Sequence, residues 1–270
     1  MSTGFIGVGS MGGMLVRAFL RLGVLTPDTV WAANRSPAKL DALTAEFSGL
    51  HVASAREVAA QCDLLFVCLS AADTEGALVD MHSELAPQQL LLSTDGAVPL
   101  REMEDRVPCR VAKLIPSITQ ELGAGITLLI FGSRVTTADR SWLQNLLGRI
   151  SKPVEIAESL ARPAIGLASG GPAMLAYALQ TMVEEAVRSN PQLSPELARR
   201  LVQETASATI RLISERHMTT EEIIRRVAVP GGRTELAIEV LSRYVPNAWQ
   251  NVFQETADGG AKARKSSPTL

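Results

Sequence analysis

An excess of charge of either sign is missing from this chain: 26 Lys and Arg face 28 Asp and Glu, leaving −2. No overall field therefore draws it to a polyanion, and neither nucleic acid nor a membrane surface is expected as a partner. Cysteine is scarce and odd in number; Cys62, Cys68 and Cys109 lack metal-ligand spacing and the first two lie beside or within an apolar run, so they read as reduced core thiols. His51, His82 and His217 form no H-x-x-x-H pair and no pairing with Cys, and a metal site is not expected. No apolar run approaches the roughly 20 residues that span a bilayer. The first residues run straight into a strand-like segment instead of a charged leader, which points to the cytoplasm.

What is present is apolar enough to fold. Hydrophobic residues make up 46% of the 270 and the mean hydropathy is +0.15, excluding a disordered or fibrous chain. A chain of this length buries roughly three quarters of its unfolded surface, and its size suits two domains.

The first half alternates short β-rich runs with helical patterns. The runs are Thr3–Val8, Thr29–Ala33, Leu64–Leu69, Leu90–Ser93, Val111–Ile115 and Ile126–Phe131. That rhythm predicts an α/β fold with a Rossmann-type, mostly parallel sheet and crossover helices. Ser36-Pro37 reads as a helix cap and first turn. From about Glu158 the apolar residues recur at helical spacing, with caps at Ser194 and Thr219, predicting a second, all-α domain. The expected domains are 1–157 and 158–257. Residues 258–270 carry adjacent glycines, Lys262, Arg264 and Lys265, and almost no large apolar side chain, so a disordered tail with a solvated basic cluster is expected there.

Gly7-Val8-Gly9-Ser10-Met11-Gly12 stands between a strand-like Gly4-Phe5-Ile6 and the helical Met14–Leu22. It is G-x-G-x-x-G in the context that gives it meaning. The first glycine allows the turn, the second lets a pyrophosphate approach the backbone, and the third lets helix and strand pack; Ser10 and Met11 open the helix whose N–H groups hold the anion. The next strand ends in Asn34-Arg35-Ser36 where an NAD site usually places a carboxylate. A guanidinium flanked by amide and hydroxyl donors suits a 2′-phosphate, so NADP(H) is the expected cofactor.

With those motifs, Gly123-Ala124-Gly125, Gly170-Gly171-Pro172-Ala173 and Pro230-Gly231-Gly232 followed by Thr234, the chain resembles the pyrroline-5-carboxylate reductase family over nearly its whole length. Residues 106–119 most resemble its late-competence, ComER-like branch. The resemblance implies a Rossmann domain, a helical domain through which two subunits interlock, and reduction of a cyclic imine with NADPH. It also implies substrate-binding roles for Gly170, Gly171, Gly231 and Gly232, with the backbone N–H groups of Gly231-Gly232 and Thr234 holding a substrate carboxylate. Thr234 is the side chain expected to hydrogen-bond the substrate during catalysis.

The departures are concentrated on the substrate side. Leu69-Ser70-Ala71 stands where the family reads Val-Lys-Pro beside the cofactor, placing Leu69 and Ser70 there. Ser117 replaces an asparagine in Lys113-Leu114-Ile115-Pro116-Ser117, Met174 replaces a tyrosine, and Val229 and Arg233 replace small residues. Asp95-Gly96 is first a turn signal, and the stripe Met174, Leu175, Leu179, Met182 and Val183 is first a packing face. A β-hydroxyacid dehydrogenase would want a lysine in the helical domain, and Glu158–Leu241 has none. The competing class is a non-catalytic NADP-binding dimer that serves regulation or a partner.

Overall fold

The computed structural model describes residues 1–258; the expected disordered tail lies outside them, except Asp258, with which the last helix ends. Chain order is β1 (Thr3–Ile6), α1 (Ser10–Arg21), β2 (Val30–Ala33), α2 (Pro37–Glu46), β3 (His51–Val52), α3 (Ala55–Gln61), β4 (Leu64–Val67), α4 (Ala71–Met81), β5 (Leu90–Ser93) and α5 (Leu100–Arg106). It continues through β6 (Arg110–Ile115), β7 (Ile126–Phe131), α6 (Thr137–Leu147), β8 (Lys152–Glu155), α7 (Ala161–Ala168), α8 (Gly171–Ser189), α9 (Pro195–Arg216), α10 (Thr220–Val227) and α11 (Arg233–Asp258). The strands form one sheet in the order β3-β2-β1-β4-β5-β6-β7-β8. The expected mixed fold, a Rossmann-type sheet followed by helices alone, is borne out.

Strands β1, β4 and β5 are buried along their whole length, which is why they read as unbroken apolar runs. Alternate residues serve opposite faces. Phe5, Leu64, Phe66, Leu90 and Leu92 enter one core with α1, where Phe5 and Phe66 stack at 4.7 Å between ring centroids. Ile6, Leu65, Val67 and Leu91 enter a second core with α3, α4 and α5. Two short strands escaped the sequence reading: β3 has two exposed residues, and β8 contains Pro153 and is mostly exposed. β7 runs antiparallel to β6, because the connection over 116–125 is too short for the crossover that a parallel pair requires.

Capping explains the helix starts. Pro37 opens α2 after Ser36, as expected, although no side chain makes the cap bond. Ser194 accepts from the Leu197 N–H and Thr219 from the Glu222 N–H. Two reciprocal capping boxes, Ser54 with Glu57 and Thr136 with Asp139, open α3 and α6.

The chain divides into two compact units, Met1–Pro172 and the part from Ala173 on. In the second, Ala198 is the only buried residue among those described, while Leu175, Tyr177, Met182, Leu201, Ile210, Leu236 and Tyr244 are each more than half exposed. No helix among the described residues is long and apolar enough to cross a membrane. Cys62 and Cys109 are buried and Cys68 is half-buried, all three as free thiols. Burial pushes Cys62 and Cys68 up to about 12 and Cys109 to about 11, so they remain protonated at neutral pH.

One cation lies deep in the first unit among the described residues. Lys113 on β6 alternates with Ala112 and Leu114 of the first core, so it faces the second; its side chain is only 2% exposed. Its ammonium donates to Glu158 Oε1 at 2.6 Å, and the same oxygen accepts from the Leu100 N–H at 2.8 Å. Partial burial alone pushes the Glu158 carboxyl up, but the two donors and the lysine charge outweigh it and leave the pKa lowered. A lowered folded-state pKa stabilises above the unfolded value and is lost as pH falls through the folded one. Glu158→Gln should therefore destabilise the protein at pH 7 by about 1–3 kcal/mol, less than for a fully buried pair because the carboxylate is partly solvated. The gap between the two proteins in urea unfolding should narrow below about pH 4. A gap independent of pH would remove the ion pair from the account.

Candidate functional site

The order β3-β2-β1-β4 makes β1 the point at which the chain leaves in both directions, since β1 pairs in parallel with both β2 and β4. A crevice opens beyond the carboxyl ends of the strands at such a point. Three strand ends are stitched together there. Gly7 N–H donates to Ala33 O at 2.8 Å, Cys68 N–H to Ile6 O at 2.8 Å, and Val8 N–H to Asn34 Oδ1 at 3.1 Å.

Glycine is required at two places in this turn. Gly7 has φ +91°, and a Cβ on it would stand 2.5 Å from the Cys68 carbonyl oxygen. A Cβ on Gly12 would overlap the Gly7 carbonyl oxygen and lie 2.9 Å from Cys68 Cβ. Helix α1 therefore begins directly against the strand ends, with Gly9 as its N-cap and no side chain capping it. Its first N–H groups have no partner within the helix and are available to an anion. A Cβ on Gly9 would meet only Lys39 Nζ, at 3.8 Å, so the loop is open on that side.

A cavity of ≈ 610 Å³ lies over this edge, lined among others by Gly7, Gly9, Asn34, Arg35, Leu69 and Ser70. Most of the expected cofactor set thus meets at one place. Ser10 and Met11 form the first turn of α1, with Met11 partly buried against the first core, and Ser36 occupies the N-cap position of α2, next in sequence to Arg35 of the cavity wall. The Asn34 amide is used within the wall: Oδ1 accepts from Val8, and Nδ2 donates to Ser36 O at 3.1 Å. Arg35 leaves its guanidinium largely in solvent, with side-chain exposure of 85%. Lys39 on α2, Ser54 before α3 and Asp73 on α4 also line the cavity and were not singled out from sequence. The cradle, the free helix end and the guanidinium fit a dinucleotide that carries a 2′-phosphate.

The expected substrate residues are more dispersed. Ser117 follows β6, is 1% exposed, and its hydroxyl accepts from Thr119 Oγ1 at 3.0 Å. Gly170 and Gly171 form the junction of α7 and α8, where Gly170 N–H donates to Ile165 O. Gly231, Gly232 and Thr234 lie in the second unit, before and within the first turn of α11; Gly231 has φ +75°. Both glycine N–H groups are already engaged, Gly231 with Glu235 Oε2 at 2.7 Å and Gly232 with Val229 O at 2.9 Å. Glu235 was not foreseen as the partner of Gly231. Asp95 serves its turn: Oδ1 accepts from Ala97 and Val98 N–H groups, while the buried Oδ2 has no partner among the described residues.

Comparison with known proteins agrees with both halves of this description. Residues 158–263 match the family model for pyrroline-5-carboxylate reductase dimerisation, and residues 2–95 match that for NADP oxidoreductase, coenzyme F420-dependent. The chain is 28% identical over 257 residues to ComE operon protein 4 of Bacillus subtilis, covering 95% of this chain and 94% of that protein. It is also 28% identical over 254 residues to pyrroline-5-carboxylate reductase 3 of the same organism, covering 94% and 93%. The crystal structure of Plasmodium falciparum pyrroline carboxylate reductase with NADP bound shares the fold at a TM-score of 0.82 and 18% identity, covering 96% and 94%. The resemblance read from the glycine motifs is thereby borne out along nearly the full length.

The tight approach of α1 to the strand ends makes a direct test. Gly12→Ala should destabilise the first unit by about 1–3 kcal/mol, the usual effect of overpacking, and should weaken dinucleotide binding with it. Urea unfolding checks the first effect. An unchanged midpoint would mean that the helix can retreat from the loop without loss.

Proposed function

We propose that this chain, a relative of the pyrroline-5-carboxylate reductases, is an NADPH-dependent reductase of a cyclic imine that works as a homodimer. The observation that carries the reading is the convergence of Gly7, Gly9, Asn34 and Arg35 on one cavity at the switch point, in a chain whose other half leaves its apolar helix faces uncovered. The bound nicotinamide supplies a hydride to the carbon of the C=N bond, giving a secondary amine such as L-proline. The protein's own work is positioning. The free N–H groups of α1 hold the pyrophosphate, Arg35 pairs with the 2′-phosphate, and Asn34 keeps the loop and the second strand in register. Leu69 and Ser70 form the opposite wall. A protonated imine is already electrophilic, which reduces the need for a strong protein acid.

On the substrate side Ser117, Gly170, Gly171, Gly231 and Gly232 shape the pocket, and Thr234 donates to the substrate. A substrate carboxylate at the Gly231 N–H has to displace Glu235, which holds that donor in the free chain. Together with the buried Ser117 hydroxyl, this favours weak turnover of pyrroline-5-carboxylate or preference for another imine. The same two facts give a second reading some support, that of a non-catalytic NADP-binding dimer. The dimer is expected because the second unit cannot bury its apolar side chains alone; interfaces of this kind commonly exceed roughly 2,000 Å² in total.

The test is NADPH oxidation over a panel of cyclic imines, beside direct cofactor binding and light scattering. NADPH should bind at least about tenfold more tightly than NADH, and Arg35→Ala should remove most of that preference. Thr234→Ala should lower kcat/KM about tenfold to a hundredfold, and Ser117→Asn should raise turnover on pyrroline-5-carboxylate. Binding without turnover on any imine would favour the second reading, and a monomer at micromolar concentration would end both.

A further inference from the structure

Arg35 is not a free cation waiting for a phosphate. Its guanidinium NH2 lies 3.0 Å from Asp73 Oδ2, although the two residues come from opposite walls of the cavity, one after β2 and the other on α4. The same carboxylate oxygen accepts from Ser70 Oγ at 2.8 Å. Ser70 is the N-cap of α4, but its side chain makes no cap bond and points its hydroxyl at Asp73 instead. The backbone fixes the pair further, since the Asp73 and Thr74 N–H groups both donate to Ser70 O at 2.9 Å. Asp73 is therefore held in place by its own turn, and it is Arg35, with 85% of its side chain exposed, that has come to it.

We infer that Asp73 determines cofactor specificity by competing with the 2′-phosphate for Arg35, which holds the preference for NADPH over NADH well below what an unopposed arginine gives. This deepens the cofactor reading above and rests on it. The physics has two parts. A 2′-phosphate with close to two negative charges must take Arg35 from a carboxylate already 3.0 Å away, and it then lies within several ångströms of that carboxylate. Repulsion between a unit and a double charge at that range is a several-fold effect even in a water-like medium. A ribose with a free 2′-hydroxyl meets the opposite situation. It carries no charge to repel, and a carboxylate on the rim is the acceptor that NAD sites use for that hydroxyl. One anchored carboxylate thus weakens the phosphorylated cofactor and accommodates the other. Lys39 on the same cavity supplies a second cation near Gly9, so removing Asp73 leaves two cations, Arg35 and Lys39, against the single remaining carboxylate of the lining, Asp80.

The experiment is fluorescence titration of the full chain with NADPH and NADH, and calorimetry with 2′,5′-ADP and 5′-AMP as probes that lack the nicotinamide. Asp73→Asn should tighten NADPH and 2′,5′-ADP about fivefold to tenfold, and should leave NADH and 5′-AMP unchanged or slightly weaker. Asp73→Ala should give the same pattern, which separates loss of charge from any new bond made by the amide. In an Arg35→Ala background the gain should shrink to about half or less on a logarithmic scale, since the competition is then gone and only repulsion remains. If the parent binds NADPH and both Asp73 variants bind it with the same affinity within twofold, this inference is wrong and the cofactor reading stands. Failure of the parent to bind either cofactor or 2′,5′-ADP would overturn the cofactor reading itself, and this inference with it.

Discussion

The first unit depends on a distance of closest approach. At the turn after β1 the backbone of Gly7, the carbonyl of Cys68 and the start of α1 are so close that neither Gly7 nor Gly12 has room for a Cβ. That contact aims the helix axis at the crevice and leaves its uncapped N–H groups facing outward. It also draws the ends of β1, β2 and β4 into one hydrogen-bonded seam. The cavity, the placement of Arg35 and the opposing position of Asp73 all follow from strand ends that cannot move apart independently.

The two units meet the demand for burial in different ways. The first fills both faces of its sheet, and even its one deep cation, Lys113, is held by Glu158. The second is a set of long helices with well-made starts but with Ala198 alone buried among its described residues. Capping and exposed intrahelical pairs such as Arg211 with Glu215 favour helix formation locally, but they bury no apolar surface. Side chains such as Leu175, Leu201 and Leu236 gain their transfer free energy only against another surface.

What was legible in the sequence followed the strength of local signals. Strands buried on both faces announce themselves as apolar runs, and the glycine loop announces itself through steric need, so the sheet and most of the cofactor wall were readable. β3 is too short to show a period, and β8 hides behind Pro153 and charged neighbours. The antiparallel turn to β7 was a matter of connection length. Asp73 could not have been linked to Arg35 from sequence, since 38 positions separate them and only the folding of α4 over the crevice joins them. Glu235 offered a faint signal, a carboxylate just after a helix start, but its partner Gly231 had been assigned to a substrate. That the amide of Asn34 also holds the loop, accepting from Val8 and donating to Ser36 O, had no signal in the sequence.

The inconspicuous outer strands have a consequence for how copies of this chain meet. A sheet that ended in a long, flat strand would offer a row of free N–H and C=O groups to any neighbour. This one ends in the two residues His51–Val52 on one side and in Lys152–Glu155 on the other, where Pro153 contributes no N–H and Lys152 and Glu155 set charge along the rim. Growth of the sheet from chain to chain is blocked at both borders. Association is thereby channelled away from β-type stacking, which has no natural end, and toward the exposed apolar side chains of the helices, in the region that matches the dimerisation family model.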